Sequence, residues 1–211
     1  MNVAHTYFYK ICEWIMRLAL VNLLWLSFTI LGLVVLGIVP STIAMYTIVR
    51  KWVMGETDIR ILRTFWGTYK REWLKSNRLG MILGAISAFI AVEYWIIYNV
   101  QEPLIQLSKY PLLLIFICFI LLLLYVFPTY VHYDVNVRQV LKNSFLIMII
   151  NPAYNLVILL GLLLVYLSLT IVPALLLFFG GSVSAFVIMW GCYQSFLRVE
   201  QKKERNRTLS E

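Results

Sequence analysis

Glu93 is the residue whose type and position most directly suggest chemistry. It carries the only formal charge in the apolar stretch 79–100. A carboxylate inside a bilayer is costly, so it indicates by default a role in ligand binding, helix pairing or ion passage. Tyr94, Trp95 and Tyr98 favour a second interpretation, because aromatic residues collect at the membrane–water boundary and Glu93 would then be an interfacial carboxylate. Both interpretations stay open at this stage.

Other groups that could act as nucleophile, base or metal ligand are few. His132 and Asp134 are close in sequence, but two ligands do not make a metal site, and we expect His132 to be a satisfied interfacial histidine rather than a proton or partner switch. Gly180-Gly181-Ser182 has no suitably placed base, and its small residues predict close helix packing. The sequence contains no phosphate-binding loop, HExxH or GxSxG motif. We therefore expect no enzyme activity, no cofactor and no metal.

The composition indicates a membrane protein. Of the 211 residues, 62% are apolar and 13% are charged, whereas a soluble domain is roughly 45–50% apolar and about 25% charged. The net charge of +8 arises from basic residues that cluster beside apolar runs. Such clusters follow the positive-inside rule and attract an anionic cytoplasmic leaflet. With no binding motif present, we expect no nucleic-acid partner.

Stretches free of charge define the predicted membrane spans. One is 79–100 with its single carboxylate, a second is 110–133, and a third is 143–197. The last is about 80 Å long as a helix, which suffices for two crossings and a turn. Pro173 is the predicted hinge between these two crossings, because proline cannot donate a helical hydrogen bond.

The stretch 18–49 is ambiguous between one span and two. It is about 48 Å long as a helix, which is long for one crossing and short for two. Gly32, Gly37 and Pro40 favour a turn in its middle, with Pro40 as a second hinge. The second helix would then cover 40–53 and be short or re-entrant.

The distribution of basic residues favours the larger number of crossings. An all-α bundle of six helices with both termini inside places 17 of the 18 basic residues in the cytoplasm and only Lys109 outside. The alternative has five spans and an external N-terminus, which moves Lys10 and Arg17 outside as well. Both arrangements obey the positive-inside rule, and the six-helix arrangement obeys it better.

We predict a single transmembrane domain over 1–198, followed by a polar cytoplasmic tail at 199–211 that frays. Within this domain, 58–77 has the pattern of an amphipathic helix in the cytoplasmic interface, capped by Thr57 or Asp58. This helix is either a lipid-surface helix or a docking helix for a partner protein. Its candidate docking residues are aromatic or basic: Arg60, Arg63, Phe65, Trp66, Tyr69, Lys70, Arg71 and Trp73. Asn22, Asn155 and Gln194 are predicted to hold helices together by hydrogen bonds.

Five short blocks resemble the YesL-like family of bacterial polytopic membrane proteins, a domain of unknown function. The blocks are Ile38-Val39-Pro40, 46–55, 65–70, 125–128 and 141–145. The family offers no catalytic residues to carry over. It implies a multi-pass protein of the bacterial plasma membrane, commonly encoded beside carbohydrate ABC importers in Gram-positive bacteria. The chain has no EAA-type coupling loop, so it does not resemble the permease itself.

Two functions follow as hypotheses. The first is a non-catalytic membrane accessory or scaffold protein associated with a carbohydrate ABC importer, which accounts for the basic, aromatic segment 58–77. The alternative is a small stand-alone transporter or channel, with Glu93 on its path. The scarcity of polar residues within the spans argues against a hydrated pore.

Overall fold

The computed structural model describes residues 3–100 and 102–208, which are mostly helical and contain no strand. The described chain forms eight helices: α1 (Val3–Leu31), α2 (Ile38–Val53), α3 (Ile61–Asn99), α4 (Pro103–Leu107), α5 (Lys109–His132), α6 (Val137–Ile150), α7 (Pro152–Ile171) and α8 (Ala174–Thr208). Parts of α1 and α8, the whole of α3 and of α7, and the stretch Ile105–His132 are long and apolar enough to cross a membrane. The predicted fold class, an all-helical bundle of a multi-pass membrane protein, is confirmed. The number of crossings and their orientation stay predictions.

The stretch 18–49 folds into parts of two helices, α1 and α2, with a turn between them. Trp14 and Trp52 meet edge to face with ring centroids 5.5 Å apart, and Trp25 Nε1 donates to Thr42 Oγ1 at 3.1 Å. The first contact joins the first half of α1 to the end of α2, and the second joins the second half of α1 to the start of α2. The two helices therefore run antiparallel. At 16 residues α2 is about 24 Å long, less than a bilayer core of roughly 30 Å.

The turn between α1 and α2 lies before the predicted hinge at Pro40. It occupies 32–37, where a Cβ on Gly32 would lie 2.3 Å from the Cα of Gly37. Leu33 and Val34 have φ angles of 58° and 61°, a region that side chains rarely adopt. Pro40 is buried in the first turn of α2, where its missing N–H costs nothing. It therefore belongs to the start of the helix rather than to a break.

The short helix α2 lies at the centre of the bundle. Nine of its 16 residues are buried, and it packs against α1, α3, α5 and α8. Tyr46 of α2 stacks on Phe127 of α5 with centroids 5.9 Å apart. On another side, Ile43 joins a buried cluster with Leu79 and Leu83 of α3. The position of α2 therefore determines how the longer helices around it are placed.

The stretch 143–197 contains one more break than the sequence analysis predicted. The chain breaks at Asn151, before Pro152, and again at 172–173, before α8. Proline disfavours helix in the residue that precedes it, which explains the break at Asn151. The result is the 14-residue helix α6, which we did not predict, followed by α7 and α8. The predicted hinge at Pro173 does lie between α7 and α8.

The predicted amphipathic segment 58–77 is the first part of a longer helix. Helix α3 begins at Ile61 and continues for 39 residues, about 58 Å, into the apolar stretch 79–99. Arg60 is its N-cap residue, with no side-chain cap, so the predicted caps Thr57 and Asp58 are wrong. Over 199–208 the tail also differs from the expectation, because α8 continues as a helix to Thr208 instead of fraying, and 209–211 lie outside the described residues.

Candidate functional site

The first part of α3 presents a basic surface. Arg60, Arg63, Lys70 and Arg71 are exposed, and 51% of the surface of Trp66 is exposed beside them. We call these five residues the α3 basic face. They are five of the eight candidate docking residues from the sequence. They lie on the first part of α3 or at its N-cap, so together they form one exposed surface.

The other aromatic candidates turn inward. Phe65 is completely buried and Tyr69 nearly so, and both rings pack within 5.2 Å of the Phe28 ring. Tyr69 also donates its hydroxyl to the Phe28 carbonyl at 3.2 Å, and Trp73 meets Tyr69 edge to face. Phe65 and Tyr69 are therefore buried and do not form part of an exposed docking surface. Their burial instead anchors the first part of α3 to α1.

A polar cluster joins the ends of α2, α5 and α8. Arg50 Nε donates to His132 Nδ1 at 3.3 Å, and His132 Nε2 lies 3.9 Å from Glu200 Oε1. The His132 ring packs on Phe196 with centroids 4.6 Å apart. With only 12% of its side chain exposed, His132 is held by two polar partners and an aromatic neighbour. This environment matches the expectation of a satisfied histidine.

Tyr133 extends this cluster just beyond the end of α5. Its ring meets His132 edge to face at 4.7 Å and contacts Phe196 at 5.4 Å. Burial, together with the nearby Glu200 carboxylate, raises the pKa of Tyr133 above its ordinary value. The phenol therefore stays neutral at physiological pH and adds no charge to the cluster.

A second polar cluster connects α3 to the end of α5. The Tyr130 hydroxyl donates to Glu72 Oε2 at 2.8 Å, and Arg71 Nε donates to Glu72 Oε1 at 2.9 Å. Lys75 lies 3.4 Å from Asp134 Oδ1 and 5.2 Å above the Tyr130 ring. Tyr130 is buried, whereas Asp134 is fully exposed. The Tyr130–Glu72 bond is therefore the better protected of these contacts.

Glu93 does not join either polar cluster. It is half-buried and forms no ion pair or hydrogen bond with another residue in the described parts of the chain. Its spacing along α3 places it on the same face as Ile90 and Ile97, which are both buried. The structure thus directs Glu93 toward neighbouring helices and supplies no charged partner. Both interpretations of Glu93 remain predictions.

Two of the three predicted helix-bridging amides are confirmed. Asn22 bonds α8 through Leu177, Gly181 and Ser182. The second amide, Asn155, accepts from the Tyr125 hydroxyl at 2.6 Å and donates to the Met148 carbonyl at 3.0 Å. It thereby joins α7 to α5 and α6.

The polar side chains described above mostly form contacts between helices. Within the residues that the structure describes, no group of three or more His, Cys, Asp or Glu side chains is placed to hold a metal ion. Ser182, the one serine with a suggestive sequence context, is buried beside Asn22. The basic side chains along the first part of α3 remain exposed.

Sequence reasoning missed the partners in both polar clusters. Arg50 and His132 are 82 residues apart, and Tyr130 and Glu72 are 58 apart. No spacing rule joins residues at such separations. The only sequence signal was weak: Arg50, Tyr130 and His132 lie at the ends of apolar stretches, whereas Glu72 lies in a charged segment.

Comparison with known proteins places the chain among uncharacterised relatives. The family model described as "Protein of unknown function, DUF624" matches residues 18–94. The chain is 37% identical over 192 residues to "Uncharacterized protein YteU" of Bacillus subtilis (strain 168), covering 91% of this chain and 86% of that protein. It is 35% identical over 196 residues to "Uncharacterized protein YesL" of the same organism, covering 93% and 92%. For "Uncharacterized protein YesV", also from this organism, the identity is 34% over 192 residues, covering 91% and 92%. No solved structure matches the chain.

Proposed function

The chain belongs to the YesL-like family, whose model carries the description DUF624, and from this premise we propose that it is a non-catalytic membrane accessory or scaffold protein. Its partner in this proposal is a carbohydrate ABC importer in the bacterial plasma membrane. The observation that carries the proposal is the α3 basic face, which is exposed on a helix whose other side is anchored in the bundle.

The composition of this face suits a protein partner. Arginine and tryptophan are enriched in protein–protein interfaces and among the residues that contribute most binding energy. Trp66 offers a large apolar surface, and Arg63 and Lys70 lie one turn before and after it. Anchoring by Phe65 and Tyr69 means that little conformational entropy is lost when a partner binds.

The importer is proposed on the family context described above, in which such chains are commonly encoded beside carbohydrate ABC importers. We place the α3 basic face in the cytoplasm, in keeping with the positive-inside rule. The face would then lie on the side where an importer has its nucleotide-binding subunits. The same basic residues would also attract an anionic leaflet, so the test must separate lipid attraction from protein binding.

Purification from native membranes tests the proposal. The tagged chain, at native expression and in mild detergent, should retain importer subunits that mass spectrometry identifies. Arg63→Glu with Lys70→Glu reverses two exposed charges on the face and should reduce retention at least tenfold, because like charges then face the partner.

The matched control reverses two exposed lysines elsewhere, Lys142→Glu on α6 and Lys202→Glu on α8. It should retain the importer subunits as the unmodified chain does. If the unmodified chain runs alone, the importer proposal is overturned. Equal loss of the subunits in both double variants would also overturn it, because the effect would then be one of net charge alone.

A further inference from the structure

A basic cleft lies between α3 and the segment that joins α5 to α6. Its volume is about 610 Å³. Four basic side chains line it, Arg71, Lys75, Arg78 and Arg138, together with Asn136 and Leu74. We call it the α3–α6 cleft.

Two of the four cations in the cleft are neutralised and two are not. Arg71 pairs with Glu72 at 2.9 Å, and Lys75 pairs with Asp134 at 3.4 Å. Arg78 and Arg138 are exposed and form no ion pair or hydrogen bond with any other described residue. The cleft therefore holds an excess of positive charge at Arg78 and Arg138. Guanidinium groups are suited to phosphate because they can donate two parallel hydrogen bonds to it.

The sequence around the cleft places it at the membrane–water boundary. Arg78 is the last charged residue before the apolar stretch that begins at Leu79, and Asp134 follows directly after the charge-free stretch 110–133. The cleft thus lies where two apolar segments give way to polar residues. Phospholipid phosphate groups occupy this depth of a bilayer.

Leu74 supports a lipid as the source of the phosphate. It lines the cleft, and 74% of its surface is exposed. An exposed leucine beside arginines provides an apolar contact for the glycerol and upper acyl part of a lipid. A small soluble phosphate would leave this leucine in water.

The start of α6 adds to the positive potential of the cleft. Asn136 is the N-cap residue of α6, and its side chain makes no capping hydrogen bond. The N–H groups of the first helical turn are therefore not satisfied by this side chain, and the helix dipole favours an anion there. This contribution supplements the arginines and does not replace them.

We propose that the α3–α6 cleft binds the phosphate group of an anionic phospholipid, with Arg78 and Arg138 as its principal contacts. The bound lipid would connect α3 to α6, which lie on opposite sides of the cleft. The proposal does not depend on the importer as a partner. It differs from general attraction to an anionic leaflet, because it requires these two arginines rather than the basic surface as a whole.

Lipid titration of the purified chain in detergent, followed by native mass spectrometry, tests the proposal. The probes are phosphatidylglycerol and phosphatidylcholine with identical acyl chains, and glycerol 3-phosphate as the soluble phosphate. Wild type should bind one phosphatidylglycerol at least tenfold more tightly than phosphatidylcholine. Arg78→Gln with Arg138→Gln should weaken phosphatidylglycerol binding roughly 30-fold, because each cation near a lipid phosphate contributes about 1 kcal/mol.

The control is Arg63→Gln with Lys70→Gln, which removes the same charge from exposed positions outside the cleft. It should change the affinity by less than about threefold. If the double cleft variant does not fold, as judged by its circular dichroism melt, Arg138→Gln alone should weaken binding roughly fivefold.

Equal loss in the cleft and control variants would overturn the proposal, because binding would then follow net charge. Equal affinity of wild type for the two lipids would also overturn it. Binding of glycerol 3-phosphate without phosphatidylglycerol would assign the cleft to a soluble phosphate and overturn the lipid assignment.

Discussion

Asn22 on α1 accepts a hydrogen bond from the backbone N–H of Gly181 on α8 at 3.0 Å. The same side chain accepts from the N–H of Ser182 and donates to the carbonyl of Leu177. Leu177 and Gly181 are four residues apart, the spacing of a helical hydrogen bond. The carboxamide of Asn22 therefore bonds both ends of one turn of α8. A Cβ on Gly181 would lie 2.9 Å from Asn22 Oδ1, so the glycine permits the approach.

Replacing Asn22 should weaken the packing of α1 against α8. Asn22→Ala removes three hydrogen bonds in a buried setting and should lower the free energy of unfolding by about 1–3 kcal/mol. Thermal denaturation in detergent, followed by circular dichroism, measures the loss. The matched control is Asn99→Ala, which removes one exposed local bond to the Trp95 carbonyl and should change stability by less than about 0.5 kcal/mol. Equal destabilisation by both variants would contradict the assigned role of Asn22.

Gly191 should be intolerant of a side chain where α8 meets α7. Its added Cβ would lie 2.4 Å from Ile158 Cγ1, and Ile158 is completely buried. Gly191→Ala should therefore destabilise the chain by about 1–3 kcal/mol. On α3, a Cβ on Gly84 meets nothing within 4 Å, so Gly84→Ala should stabilise by about 0.5–1 kcal/mol through helix propensity. A melt of Gly191→Ala as high as that of Gly84→Ala would show that α7 and α8 do not pack as described.

The fold was predictable where the length of an apolar stretch and its helix-breaking residues indicated the same helix boundaries. The apolar stretches predicted the long helices, and Gly32 with Gly37 predicted a turn within 18–49. The break at Asn151 was not predicted, because Pro152 lies inside a charge-free stretch and we used charge to divide the chain. Helix α3 was predicted as a separate helix at 58–77 for a related reason. The change from basic to apolar residues marks a change in the surroundings of the side chains, but the helical backbone continues without a break.

Arg50 and His132 should stabilise the fold as a pair. A double-mutant cycle with Arg50→Ala, His132→Ala and the double variant should give a coupling free energy of about 0.5–3 kcal/mol, since their hydrogen bond joins α2 to α5 in a largely buried position. Chemical denaturation in detergent provides the four stabilities.

The adjacent surface pair, Lys51 with Glu56 at 3.5 Å, is the matched comparison for that cycle. Its side chains are 35% and 58% exposed, whereas that of His132 is 12% exposed, so its coupling should not exceed about 0.5 kcal/mol. A coupling at Arg50–His132 no larger than that of the surface pair would count against a structural role for this cluster.

The orientation of the N-terminus separates the six-helix arrangement from the five-span alternative. In a background with Cys12, Cys118 and Cys192 replaced by serine, Lys10→Cys should react with a membrane-impermeant maleimide only after the cells are permeabilised. Leu107→Cys should react in intact cells, because both arrangements place the neighbouring Lys109 outside. Labelling of Lys10→Cys in intact cells would instead support the arrangement with an external N-terminus.

The position of the candidate site in the chain was predictable, but the directions in which its side chains point were not. The sequence identified the basic and aromatic residues of 60–73, yet helical spacing alone did not show which aromatic side chains face inward. The ring of Phe28 packs against Phe65 and Tyr69. Phe28 lies on another helix and is 37 residues before Phe65 in the chain. The α3–α6 cleft was missed for the same reason, because Arg78 and Arg138 meet only through the packing of α3, α5 and α6.

Photo-crosslinking in native membranes tests the central claim most directly. A photoreactive phenylalanine analogue at Trp66, on the α3 basic face, should form a covalent adduct with a subunit of a carbohydrate ABC importer. The same analogue at Leu164, which is 66% exposed on the apolar surface of α7, should form no such adduct. An importer adduct from position 66 alone is the predicted result. No adduct from position 66, or equal adducts from both positions, would contradict the proposal that the α3 basic face binds an importer.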